Sequence, residues 1–113
     1  MTLNTNEIVE VSDSTCVYEI YIGGDIDFAK HKLSQMAAEK GMCVSIEPTE
    51  FIYTGGRELG MVIRVIRYPR FPSTTLDLRD FAKHIATNLM TYLGQGSCSI
   101  VGSEETIWLT RRD

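Results

Sequence analysis

Seven apolar residues, Leu78, Phe81, Ala82, Ile85, Leu89, Tyr92 and Leu93, recur at the spacing of a single helix face. A helix with such a stripe must bury it against a partner, and the rest of the chain offers mainly strands. Residues 17–22 are β-branched and aromatic, and 42–53 and 59–68 have the same character. A shorter stripe of Ile26, Ala29, Leu33, Met36 and Ala37 predicts a first helix. Asp25 stands at its N-cap, Asp27 in its first turn and Gly41 just past its end. Gly94 closes the second helix, Ser73 is the expected N-cap, and Pro69 and Pro72 end the strand before it. Two short strands, 97–101 and 106–109, flank a turn at 102–105. The element order is β-α-β-β-α-β with an extra C-terminal hairpin strand.

A chain of 113 residues has room for one core. Residues 1–15 read as an N-terminal arm, with 7–11 expected to add a short edge strand, and 16–113 as a single α+β domain. The apolar share of 43% is ordinary for a globular protein, and 23% charged is too little for disorder. A net charge of −4 argues against binding to nucleic acid or an anionic membrane. Nine acids and three lysines occupy residues 1–56, whereas all seven arginines fall after them. Cys16, Cys43 and Cys98 offer no C-x-x-C spacing, so free thiols in a reducing cytoplasm are expected. Residues 1–15 lack the basic start and apolar run of a signal peptide. No apolar stretch approaches the ~20 residues needed to span a bilayer.

Two strand-helix-strand units joined by a hairpin make the chain resemble the small, often dimeric, ferredoxin-like proteins. The resemblance lies in element order and implies an antiparallel sheet with both helices on one face. Because that fold hosts many unrelated activities, it implies no particular one.

With Gly55-Gly56 as a two-residue hairpin loop, Ile52 would face Leu59, Glu47 would face Arg64 and Ile46 would face Val65. A bulge at Pro48 would alter that pairing beyond it. Val44, Ile46, Ile52, Leu59, Met61, Ile63 and Val65 are then expected against the helices, together with Tyr18, Ile20 and Ile22. The opposite, open face carries Val17, Phe51, Val62 and Ile66, an apolar set expected to bury itself against a second copy as a homodimer. Cover by the N-terminal arm is the alternative. The same face carries the candidate ligand-binding residues Glu19, Tyr21, Glu47, Tyr53, Arg64 and Tyr68. A charged pair between central strands is able to hold a polar ligand, but it also serves as an ordinary cross-strand ion pair.

Other motifs carry less. The run Ile20-Tyr-Ile-Gly-Gly24 looks like the shorter signature of the RNA-recognition motif. The longer signature fails, because Leu59, Met61 and Arg64 stand where aromatics would stack bases. The glycines Gly23 and Gly24 precede Asp25 and Asp27, which would repel a phosphate. His31 and His84 each lack a second ligand at helical spacing, so neither a metal nor a cofactor is expected. Trp108 is read as core or interface. The expected role is non-enzymatic: a self-associating domain that binds a partner protein or a small ligand. The alternative is a small cofactor-independent enzyme with a site between sheet and helices, drawing on Tyr53, Tyr68, Arg64 and His84. A nucleic-acid module ranks third.

Overall fold

A computed structural model describes residues 6–68 and 74–111. Pro69, Arg70, Pro72 and Ser73, along with the ends of the chain, lie outside the described residues, so the expectations placed on them are left there. The elements are β1 (Val17–Gly23), α1 (Ile26–Lys40), β2 (Val44–Tyr53), β3 (Gly56–Ile66), α2 (Thr75–Leu93), β4 (Ser97–Val101) and β5 (Thr106–Thr110). They form one antiparallel sheet in the order β2-β3-β1-β4-β5. β1 is the middle strand, and β5 is an edge strand that a simple four-stranded ferredoxin order lacks.

One sheet face is packed by both helices. Ile20, Ile22, Met61, Ile63, Val65 and Ile100 project from the strands to meet Leu33, Met36, Leu78, Phe81, Ile85 and Leu89. Burying each such side chain is worth about 1.5–3 kcal/mol, and this layer is the main source of stability. The α1 cap is as expected: the Asp25 carboxylate accepts from the amides of Asp27 and Phe28. Gly41 ends that helix with φ 66°, a conformation that a side chain disfavours. In α2 the N-cap is Thr74, which closes a capping box with Asp77.

Three expectations are corrected. Residues 7–16 form no strand, and Ile8, Val9 and Val11 are exposed, so the described part of the arm does not bury its apolar side chains on the open face. The hairpin loop is Thr54-Gly55 rather than Gly55-Gly56, because Tyr53 pairs with Gly56 and only Gly55 takes a positive φ, as the third position of a type II turn requires. Each pairing is thus offset by two residues from the expected one: Ile52 faces Arg57, Glu50 faces Leu59 and Ser45 faces Arg64. An offset of two leaves the sheet face of every side chain unchanged. The ladder runs unbroken through Pro48, whose missing amide costs nothing on the outer side of edge strand β2.

The third correction concerns length. Ile52 and Leu59 lie on the helix side, yet they are 77% and 70% exposed. At ~3.3 Å per residue β3 runs about 36 Å, whereas α1, at 1.5 Å per residue, runs about 22 Å. The hairpin therefore overshoots the helix layer. Tyr92, at the end of its stripe, is likewise 44% exposed and packs edge-on against Phe28. No helix among the described residues is long and apolar enough to cross a membrane.

The capping box gives a pH signature. Hydrogen bonds from the Thr74 amide and hydroxyl hold the Asp77 carboxyl below its ordinary range. A depressed folded-state value stabilises the fold above the unfolded carboxyl range, near pH 4, and that stability disappears as pH falls through the folded value. Thr74→Ala is expected to cost about 1 kcal/mol in chemical denaturation at pH 7. Because the box is then already broken, the variant should also lose less stability than the parent on acidification to pH 3.

Candidate functional site

Alternation along each strand sets what the open face displays. One row crosses the sheet as Trp108, Ser99, Tyr21, Val62 and Glu47, and the next as Thr106, Val101, Glu19, Arg64 and Ser45. Arg64 sits between two acids: its Nε donates to Glu19 Oε2 at 2.7 Å, and its Nη1 lies 2.7 Å from Glu47 Oε1. Glu19 is directly opposite Arg64, while Glu47 reaches it diagonally from beside Val62. The bond to Glu47 first, and that to Glu19 second, hold the Arg64 guanidinium above its ordinary range. This triad ties together side chains from β1, β3 and the edge strand β2 and helps to hold them in register.

The other expected site residues are scattered. Tyr53 lies on the same face but six residues beyond Glu47, about 20 Å along β2, and its ring rests against Gly56. Tyr68 lies past the opposite end of β3, where burial first and the Cys43 thiol second push its phenol above the ordinary range. His84 sits on the exposed side of α2, bonded to Asn88, away from Arg64. Of the expected interface set, Val62 is already 5% exposed within one chain, and Val17, Phe51 and Ile66 are half-buried. Trp108 is 57% exposed on the open face rather than in the core.

The structure builds a different constellation one row beyond Tyr21. Gly23 and Gly60 face one another across β1 and β3, leaving two adjacent positions on the open face without side chains. A Cβ on Gly60 would stand 2.5 Å from the Ile22 carbonyl oxygen and 2.9 Å from the Gly23 Cα, so the close approach of these strands requires glycine. Over this floor lie the Phe51 ring, against Gly60, and the Glu58 carboxylate, against Gly23. The Gln95 amide oxygen, from the segment between α2 and β4, comes within 3.1 Å of where a Gly23 Cβ would be. The Gly24 amide donates to the Leu59 carbonyl at 3.2 Å, which fixes the turn above the floor. A carboxylate, a primary amide and an aromatic ring thus converge over two glycines, both of which are buried beneath them. Glu58 and Gln95 were missed from the sequence because their convergence depends on how β1 pairs with β3 and β4. The one signal was Gly60, an unexpected glycine inside a strand.

Among the described residues no group of three or more His, Cys, Asp and Glu side chains is placed to hold a metal. All three cysteines are free, and burial pushes the Cys98 thiol up to about 11. That buried thiol is protonated, and so a poor nucleophile, at neutral pH.

No family model matches the chain, and no curated protein does. Among solved structures the chain is similar to a phage SAM lyase in its apo state, at 14% identity and a TM-score of 0.76, over 95% of this chain and 98% of that one. It is similar as well to a phage SAM lyase in complex with S-methyl-5'-thioadenosine, at 12% identity and a TM-score of 0.74, over 93% and 96%. At such identities the likeness shows a shared fold across nearly the whole chain. It also overturns the non-enzymatic binding role expected from the sequence, since both full-length neighbours are enzymes. The physical reason for the error is that a fold without a nucleophile, metal or cofactor motif was read as a fold without chemistry.

The glycine floor gives a direct test of this geometry. Gly60→Ala forces its methyl into the backbone of Ile22 and Gly23, and overpacking of this kind costs about 1–3 kcal/mol. Urea unfolding should show that loss, and an unchanged midpoint would mean the strands are not so close.

Proposed function

We propose that this chain is an enzyme that cleaves S-adenosylmethionine at its sulfonium centre and releases S-methyl-5'-thioadenosine. The fold it shares with the two lyase structures supports the reading. Within the chain, the observation that carries it is the convergence of Glu58, Gln95 and Phe51 over the Gly23–Gly60 floor. The substrate is a cation with an adenine ring, a ribose and an α-amino acid. Aromatic faces attract cations and stack on bases, and a carboxylate accepts hydrogen bonds from hydroxyl or ammonium groups. The open face offers both, with Tyr21 one row from the floor and acids Glu19, Glu47 and Glu58 along it.

The chemistry asks little of the protein. Release of the thioether requires the bond from sulfur to the four-carbon arm to break, its electron pair passing to sulfur, which becomes neutral. The substrate's own carboxylate forms the new C–O bond to that carbon and closes a five-membered lactone. No proton, water or external nucleophile is consumed. Catalysis then consists of folding the arm into ring-closing geometry and shielding it from water. Charge on sulfur falls in the transition state, so a carboxylate held against sulfur would favour the ground state. Glu58 is therefore assigned to the substrate's hydroxyl or ammonium groups, and Phe51 to the apolar side of the floor.

Two finer assignments accompany this reading. β1–β4 with both helices are taken as a ferredoxin-like core to which β5 is added. The free thiols favour a reducing, cytoplasmic setting.

Incubation with S-adenosylmethionine followed by chromatography should show S-methyl-5'-thioadenosine above a protein-free blank. Glu58→Gln should lower the rate at least about tenfold, or ~1.4 kcal/mol of barrier, with unchanged circular dichroism. Absence of product, or a fully active Glu58→Gln protein, contradicts the reading. Pairing of two copies through the open face is a separate proposal, supported by the half-buried Val17, Phe51 and Ile66. Ile66→Lys should leave a folded monomer by light scattering, and a variant with the parent's mass argues against that interface.

A further inference from the structure

At the other end of the molecule, and on the helix side of the sheet, the start of β1, the first turns of α2 and the β4–β5 turn enclose a cleft of about 480 Å³. The Tyr18 and Arg79 side chains line it, together with Ser103, Glu104, Glu105 and the buried Cys16. Tyr18 is only 6% exposed and its ring packs on Gly102, where a Cβ would come within 2.7 Å of Cε1. Its hydroxyl has no hydrogen-bond partner among the described residues. A phenol on a cleft wall without a partner among the described residues is open to a ligand or solvent acceptor.

Arg79 stands beside it. Its Nε donates to Glu105 Oε1 at 2.5 Å, and both Nη groups are left without partners among the described residues. Burial first, the Cys16 thiol second, and Glu105 and Glu104 after them raise the Tyr18 phenol above its ordinary range, so it remains a donor throughout the physiological range. The cleft lining therefore includes one hydroxyl and two guanidinium nitrogens without partners among the described residues, the donor set for a carboxylate. A phosphate dianion suits it poorly, because Glu104 and Glu105 outnumber Arg79 and leave the lining net negative. The charge pattern instead matches a ligand with one carboxylate and one ammonium.

We propose that this cleft binds the zwitterionic end of a small α-amino acid, with the Tyr18 hydroxyl and the Arg79 Nη groups on the carboxylate and Glu104 on the ammonium. The site is independent of the sulfonium-cleaving reading, since it is on the other sheet face and about 17 Å along β1 from Gly23.

Titration of the protein with glycine and with L-methionine, followed by amide chemical shifts, tests it. Propionate, propylamine and inorganic phosphate serve as partial mimics. Both amino acids should shift Arg79 and residues 102–105 saturably, with each partial mimic at least about tenfold weaker. Tyr18→Phe should weaken glycine binding about tenfold without lowering the thermal midpoint, because the lost hydroxyl has no partner among the described residues. Glu104→Gln should weaken glycine and leave propionate unchanged. The proposal is overturned if neither amino acid gives a saturable shift up to tens of millimolar, or if phosphate or propionate binds as well as glycine. It fails equally if Tyr18→Phe binds glycine like the parent, or if that variant melts earlier because the hydroxyl was structurally bonded after all.

Discussion

The packing of one sheet face against α1 and α2 is the constraint from which the other features follow. Ile20, Ile22, Ile63, Val65 and Ile100 are all fully or almost fully buried on that side. Because side chains alternate along a strand, burying these residues commits Glu19, Tyr21, Gly23, Gly60, Val62 and Arg64 to the opposite face. The open face is thus a consequence of the core. Its composition is what gives it chemical character: a Glu19–Arg64–Glu47 ion triad, and toward the hairpin a glycine floor beneath Phe51 and Glu58. The triad resists rearrangement, since breaking either bond leaves a half-buried charge short of a partner. The floor is covered by the Phe51 and Glu58 side chains, with Gln95 beside Gly23.

Much of the architecture was legible because its signals are local. The stripes of both helices, the Asp25 cap and the glycine stops each depend on a few adjacent residues, and all appear as expected. The hairpin shows where locality ends. Two neighbouring glycines admit two loop positions, and the choice between them turned on a single positive φ at Gly55. Parity survived, so the face of every residue was right while its cross-strand partner was not. Glu47 still reaches Arg64, but diagonally. Ile52 and Leu59 were assigned to the core by alternation alone. Comparing an eleven-residue strand with a fifteen-residue helix would have exposed the overhang.

The candidate site was less legible for a related reason. Tyr53 and Tyr68 share a face with Arg64, yet they sit beyond opposite ends of the triad, and sharing a face does not imply proximity on strands this long. Glu58 and Gln95, 37 residues apart in sequence, come together only because Gly23 faces Gly60 and β4 lies alongside β1. Nothing in their local context marks them. The proposed reaction, in which the substrate supplies its own nucleophile, would also leave no His, Cys or metal motif to find in the sequence.

The central claim is that the Gly23–Gly60 floor is where an adenosyl thioether product binds. Amide chemical-shift mapping with S-methyl-5'-thioadenosine tests it without relying on turnover. The account predicts saturable shifts concentrated at Gly23, Gly24, Glu58, Gly60 and Gln95. Shifts confined to the outer faces of α1 and α2, or none at saturating ligand, would contradict it.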